Sequence, residues 1–226
     1  MAVTHVNPPP GGQLLGVIFD MDGVLVMSEP LLAEAAARMF AEKGFIVRHE
    51  EFHPFIGMGE DRYLGGVALA RNIPFNAPRD KARAYSLYLD LIKGRLKPMP
   101  GVVEFVSECR KRGFKTAVAS SADEVKVLGN LNEIGLPSET FDIVVSGSQV
   151  ARKKPAPDIF LEACRRLGLS PARCLVVEDA IAGVEAAKAA GCKCLAVTTS
   201  FPADQLTRAD WVVDQLDRVP AEALAW

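Results

Sequence analysis

The sequence lacks any long apolar run. No stretch approaches the roughly 18 residues that a membrane-spanning helix needs, so no membrane span is expected. It lacks an excess of charge as well: 26 basic and 28 acidic residues leave a net charge of −2. No basic field exists to attract nucleic acid or an anionic lipid surface. The start, Met1–Gly12, has no apolar segment of the kind a secretory signal carries. With three consecutive prolines and two glycines it reads as a flexible tail over residues 1–13, and a transit peptide already removed would leave no trace. There is no C-x-x-C pair. The five cysteines are odd in number, and Cys192-Lys193-Cys194 is C-x-C. Buried, reduced thiols in a reducing intracellular compartment are expected rather than a disulfide framework or a zinc site. No internal repeat appears.

What is present is ample material for a core. Of 226 residues, 49% are hydrophobic and 24% charged, which suits one domain, or one domain carrying an insertion. Apolar runs of strand length recur at Leu14–Phe19, Thr116–Ala119, Phe141–Val145, Cys174–Val177, Cys194–Thr198 and Asp210–Val213. Runs apolar on both faces indicate strands covered on both sides, as in a parallel sheet. Helical patterns lie between them at Val102–Arg112, Asp123–Ile134, Asp158–Leu167 and Ala180–Ala190, each followed closely by a glycine that can stop a helix. The alternation predicts a doubly wound, Rossmann-like α/β fold with a parallel sheet. One segment breaks the rhythm. Residues 31–96 carry only helical patterns, with Pro30 in the first turn and Leu32, Ala36, Met39 and Phe40 on one face. The expected organisation is a core of residues 14–30 and 97–226 with an all-helical insertion at 31–96.

Polar residues gather where a covered sheet cannot bury them unpaired. Val17-Ile18-Phe19 ends in Asp20-Met21-Asp22-Gly23. Ala117-Val118-Ala119 ends in Ser120. A loop after Ile143–Gly147 carries Lys153-Lys154-Pro155, and Leu175-Val176-Val177 ends in Glu178-Asp179. Ligands of open α/β sheets bind at the carboxyl ends of the strands. Each element alone has a plainer reading: a solvated turn, a helix N-cap at Ser120, a solvated lysine loop, a cap for the helix from Ala180. The D-x-D run is not an EF-hand loop, because its glycine comes fourth and Leu31 falls at the twelfth position. All of these at successive strand ends point instead to one site. Clustered carboxylates raise one another's pKa unless a cation joins them, and a hard, oxygen-coordinated ion such as Mg2+ suits them. A hydroxyl and an ammonium nearby suit a phosphate. One aspartate can then be a nucleophile and the other a general acid and base.

The runs F-D-M-D-G-V-L, V-A-S-S, K-K-P-A-P-D-I-F and V-V-E-D-A-I-A-G-V-E-A-A-K-A-A-G resemble the four motifs of the haloacid-dehalogenase superfamily, and the helical insertion resembles the C1 cap of its phosphatase and phosphomutase members. That resemblance implies roles. Asp20 would attack phosphorus and form an aspartyl-phosphate. Asp22 would be the general acid and base, its backbone carbonyl a metal ligand. Ser120 and Ser121 would hold phosphoryl oxygens and Lys154 would neutralise charge. Mg2+ would be bound by Asp20, Asp22, Asp179 and Glu178. Dehalogenases and phosphonatases of the superfamily lack an aspartate at the position of Asp22, so phosphate-ester chemistry is implied.

The cap region departs from the β-phosphoglucomutases, which also resemble this chain. Ile56 and Glu60 stand where those enzymes hold a second phosphate with basic residues, Leu32 replaces a hinge histidine, and Met27 replaces the first residue of a common D-S-E-P-L-H run. Met58, Glu60, Arg62 and Tyr63 are the cap candidates for specificity. Met58 lies between glycines that would let its loop flex into the site. Arg62 and Tyr63 could equally serve packing or capping. A narrower likeness of the cap run P-F-I-G-M-G-E and the core run V-A-S-S-A-D is to the dehalogenase-like domain of a plant thylakoid protein, which implies a chloroplast stromal location. The expected function is a Mg2+-dependent phosphatase acting on a small phosphorylated metabolite, as a monomer. A regulatory module with weak turnover and a phosphomutase are the alternatives.

Overall fold

The computed structural model describes residues 13–55 and 59–226. Six parallel strands form one sheet in the order β3-β2-β1-β4-β5-β6. They are β1 (Gly16–Phe19), β2 (Lys115–Ser120), β3 (Ile143–Ser146), β4 (Cys174–Glu178), β5 (Lys193–Val197) and β6 (Trp211–Val213). Helices α4 (Val102–Lys111), α5 (Glu124–Glu133), α6 (Asp158–Leu167) and α7 (Ile181–Ala190) cross between them. The expected α/β architecture is present, and α6 and its Gly168 stop fall where the sequence pattern puts them. The expected proline-rich tail lies, up to residue 12, outside the described residues.

The strand alternation divides the core. Val17 and Phe19 face one layer, where Phe19 meets Phe105 and Phe141 edge-on with ring centroids 6.0 and 6.1 Å apart. Ile18 faces the other layer, with Phe160 and Ala163 of α6 and Val184 and Ala187 of α7. Central β1 is buried on both faces, as a parallel sheet with helices on each side requires. Each fully buried apolar side chain of this size contributes about 1.5–3 kcal/mol relative to exposure. The register then sets the site. Phe19 pairs level with Val118 of β2 and Val177 of β4. Asp20, Ser120 and Glu178 therefore leave the sheet at one edge within a residue or two of each other.

Helices α1 (Glu29–Glu42), α2 (Glu60–Ala70) and α3 (Ala77–Ile92) form the insertion between β1 and α4. Pro30 sits in the first turn of α1, where its missing N–H is not needed. A 3-10 segment, His49–Phe55, was not apparent in the sequence pattern. It sends buried Phe52 into contact with Phe40 and stacks it on Tyr63 at 4.9 Å. The two linkers to the insertion run side by side: Val26 pairs antiparallel with Pro98, and the Met99 N–H donates to the Leu25 carbonyl at 2.9 Å. The insertion rests on the core through α3 and α5. A Cβ on Gly129 of α5 would come within 2.3 Å of Leu89, Lys81 pairs with Asp123 at 2.8 Å, and the Tyr88 hydroxyl donates to Asn130 Oδ1 at 2.5 Å.

Phe160 is fully buried beneath the sheet. Phe160→Ala is expected to lower unfolding free energy by about 3–5 kcal/mol in urea titrations, because the cavity cannot close around a rigid strand layer.

Candidate active site

Asp20 follows the last residue of β1 and is buried. The chain then turns back on itself: the Gly23 N–H donates to the Val26 carbonyl at 2.7 Å, and Asp22 bridges to Val26. Gly23 has φ +84°, and a Cβ there would lie 1.8 Å from Asp179 Oδ2. The glycine after D-x-D is thus required twice, by its backbone conformation and by the carboxylate seated against it. Gly183 in the first turn of α7 does the same for Glu178, whose Oε1 would be 1.8 Å from an added Cβ.

Glu178 ends β4 and Asp179 follows it, both buried. Glu178 Oε2 accepts the N–H groups of Asp179 and Ala180 at 2.8 and 3.0 Å, and its other oxygen accepts from Lys154. Glu178 thus fixes the turn that leads into α7 rather than capping the helix itself, whose N-cap position, Ala180, has no side-chain cap. Lys154 reaches Asp20 Oδ1 at 2.5 Å and lies 4.9 Å from the Phe160 ring centroid. Ser120 is buried at the end of β2, and its hydroxyl accepts the Ala122 N–H at 3.1 Å. Ser121 is half-buried, and its carbonyl accepts from Lys153 Nζ at 3.3 Å.

The structure thus gathers Asp20, Asp22, Ser120, Ser121, Lys154, Glu178 and Asp179 at one edge of the sheet. Three more residues belong to the site that the sequence pattern did not reveal. Ser28 Oγ donates to Asp22 Oδ1, Lys126 Nζ donates to Asp22 Oδ2 at 2.8 Å, and Ser200 Oγ donates to Asp179 Oδ2. Lys153, in the same loop as Lys154, also reaches the Gly147 carbonyl with its ammonium. At the mouth, Lys81 bridges Asp61 of α2 at 2.9 Å and Asp123 at 2.8 Å. Of the cap candidates, Arg62 is exposed on α2, Tyr63 is buried against Phe52, and Glu60 is the first residue of α2. Met58 lies outside the described residues. Leu32 is buried on α1, and Met27 is exposed.

The electrostatics bear on a cation. Oxygens of Asp20, Glu178 and Asp179 lie within 4.8 Å of one another. Burial, with Glu178 and Asp22 adding to it against the pull of Lys154, pushes Asp20 up to about 7. Burial, then Glu178 and Asp20, pushes Asp179 up to about 9. Burial alone would lower Lys154, but Asp20 and Glu178 outweigh it and hold the ammonium charged. Four carboxyl groups face two ammonium groups, Lys154 and Lys126, so carboxyls outnumber their cations and burial favours the protonated form of the unmatched ones. An all-oxygen donor set with more carboxyls than ammonium groups, and glycines that leave room for them, fits a hard divalent ion such as Mg2+.

A carboxyl whose value is raised on folding binds its proton more tightly in the folded chain than in the unfolded one. Without metal, the fold therefore loses stability as pH climbs from the ordinary carboxylate range through about 7 for Asp20 and about 9 for Asp179. Thermal melts in chelator should show Asp179→Asn matching wild type at acidic pH and melting a few degrees higher at alkaline pH. If the site takes Mg2+, adding the ion should reverse the order, because Asp179→Asn gives up one of its oxygen ligands.

Residues 14–191 match the family model for haloacid dehalogenase-like hydrolases. The chain is 46% identical over 196 residues to Suppressor of Quenching 1, a chloroplastic protein of Arabidopsis thaliana, covering 84% of this chain but only 18% of that longer protein. It is 35% identical over 175 residues to a phosphorylated carbohydrates phosphatase of Thermotoga maritima, covering 77% of this chain and 81% of that one. Among solved structures, a mutant CbbY from Rhodobacter sphaeroides in complex with xylulose-(1,5)bisphosphate superposes with a TM-score of 0.86 at 25% identity, over 95% of this chain and all of that one. With the family model spanning the D-x-D strand, the lysine loop and the Glu178-Asp179 strand end, the chain belongs to the haloacid dehalogenase-like hydrolases.

Proposed function

We propose that this hydrolase is a Mg2+-dependent phosphatase that releases phosphate from a small phosphorylated metabolite through an aspartyl-phosphate on Asp20. The observation that carries the reading is the pairing of Asp20 with Lys154 at the end of β1, with Asp22 held one turn away by separate partners. A nucleophile paired to an ammonium and a second aspartate free of that pairing are what a two-step phosphoryl transfer needs. Asp20, Glu178 and Asp179, with the Asp22 carbonyl, would hold the ion. The ion supplies charge stabilisation for the phosphoryl oxygens.

In the first step, an Asp20 carboxylate oxygen bonds to phosphorus as the ester P–O bond breaks. The leaving oxygen takes the proton of Asp22. In the second, a water oxygen bonds to phosphorus, Asp22 takes the water proton, and the Asp20–phosphorus bond breaks. Inorganic phosphate leaves and both aspartates return to their starting state. The Ser120 hydroxyl and the Ser121 N–H would orient the phosphoryl oxygens, and Lys154 balances their charge.

The helical insertion, residues 31–96, acts in this reading as a cap over the substrate body. Gly59 lies near Lys153, with Asp61, Lys81 and Asp123 beside the mouth. Met58, Glu60 and Arg62 remain the specificity candidates. Lys81, already engaged by Asp61 and Asp123, is a poor receptor for a second phosphate, so a monophosphate with a hydroxylated, sugar-like body fits better than a bisphosphate. The likeness to a phosphorylated carbohydrates phosphatase supports that class. The complex of a CbbY with a sugar bisphosphate is the observation that favours the rival class. The likeness to a chloroplastic protein supports a stromal site of action.

Phosphate release from a panel of sugar and polyol monophosphates with Mg2+ tests the reading. Wild type should turn over at least one ester, and Asp20→Asn should lower turnover by about 10³-fold or more with the fold intact. Chelation should abolish it. Undiminished release by Asp20→Asn, or none from any ester by the folded, Mg2+-bound wild type, would overturn the assignment.

A further inference from the structure

Lys126 lies in the first turns of α5 with a side chain only 3% exposed. A lysine at that depth needs a charged partner, because an unpaired buried ammonium is costly. Lys126 Nζ reaches across 104 residues of chain to Asp22 Oδ2 at 2.8 Å. The other oxygen of that carboxyl, Oδ1, accepts from Ser28 in the linker that enters the helical insertion. The two oxygens of Asp22 are therefore fixed from opposite sides by elements far apart in sequence. Asp22 itself keeps 18% of its side chain exposed, so it is anchored without being sealed from the mouth.

The anchor is itself seated. One turn beyond Lys126, Asn130 of α5 accepts from the Tyr88 hydroxyl of α3. Burial raises the Tyr88 hydroxyl's pKa, so it stays a neutral donor. The same helix thus carries the ammonium that fixes Asp22 and the amide that receives the insertion.

We infer that Lys126 is a positioning residue that, together with Ser28, fixes the orientation in which the Asp22 carboxyl meets the leaving oxygen for proton transfer. The inference rests on the reading of Asp22 as general acid. A carboxyl tethered at one oxygen can rotate about its last bond, whereas one tethered at both cannot, and orientation of a reacting group is a large part of its catalytic worth. An ion pair needed only for packing would lower every reaction of the site alike. A positioning pair matters most where the leaving group needs the proton.

That difference is measurable with two esters of nearly equal shape: phenyl phosphate, whose leaving phenolate is strongly basic, and p-nitrophenyl phosphate, whose leaving phenolate is not. The variants are Lys126→Met, which keeps the stem and removes the charge and the donor, and Lys126→Leu, a shorter apolar replacement should the Met variant fail to fold. With Mg2+ and the full chain, either should lower kcat/KM for phenyl phosphate by about 10²-fold and for p-nitrophenyl phosphate by less than about fivefold. Asp22→Asn should show the same asymmetry in larger form. Equal losses on both esters, or no loss, in folded Lys126 variants would overturn the inference while the Asp22 asymmetry stands. If Asp22→Asn itself shows no asymmetry, the acid assignment fails first and the inference falls with it.

Discussion

The surplus of buried carboxyl groups over ammonium groups at the carboxyl edge of the sheet is the constraint on which the rest of the site depends. Asp20, Glu178 and Asp179 are brought within 4.8 Å of one another by strand register alone. Nothing about hydrophobic packing requires them there. The surroundings are arranged to tolerate them: Lys154 is inserted between Asp20 and Glu178, backbone N–H groups of Asp179 and Ala180 point at Glu178, and Ser200 donates to Asp179. The two pivotal glycines, Gly23 and Gly183, contribute by having no side chain, since each gives up its Cβ position to a carboxylate. Even so, burial keeps Asp20 and Asp179 well above the usual carboxylate range, an imbalance that a divalent ion would relieve.

How much of this was legible in the sequence follows from how local each signal is. Strands buried on both faces read as unbroken apolar runs, and glycines past the helix ends are local stops, so the sheet and α4–α7 could be read directly. The strand-end residues Asp20, Ser120, Glu178 and Asp179 were legible because a polar residue terminating an apolar run marks the edge of a covered sheet. Lys126 was not. It sits among Glu124, Val125, Val127 and Asn130 on a helix whose pattern passes for an ordinary amphipathic face, and its partner is 104 residues away. Ser28 was hidden for a related reason. Its contact with Asp22 exists only because the chain folds back after Gly23. The 3-10 segment at His49–Phe55 offered no periodicity to read, because a single tight stretch around one buried phenylalanine repeats nothing.

Within the insertion, burial separates packing from surface. Tyr63, one of the residues singled out by its place near the loop, stacks on Phe52 and belongs to the insertion's own core. Its neighbour Arg62 is exposed one residue earlier on the same helix. Adjacent helical positions point about 100° apart, so a short run of candidate residues cannot all face one ligand.

The pairing of the two linkers has a geometric consequence. Where Val26 lies against Pro98 and the Met99 N–H meets the Leu25 carbonyl, the insertion is joined to the core along a single short seam rather than at two separated points. The contacts of Leu89, Lys81 and Tyr88 with α5 hold the rest of the insertion against the core. Hinging about the seam would have to release those contacts first, while Ser28, two residues past the seam, would be displaced least. A hydrogen bond placed beside such an axis would be the last to break, so the carboxyl it steadies would be the least disturbed part of the site.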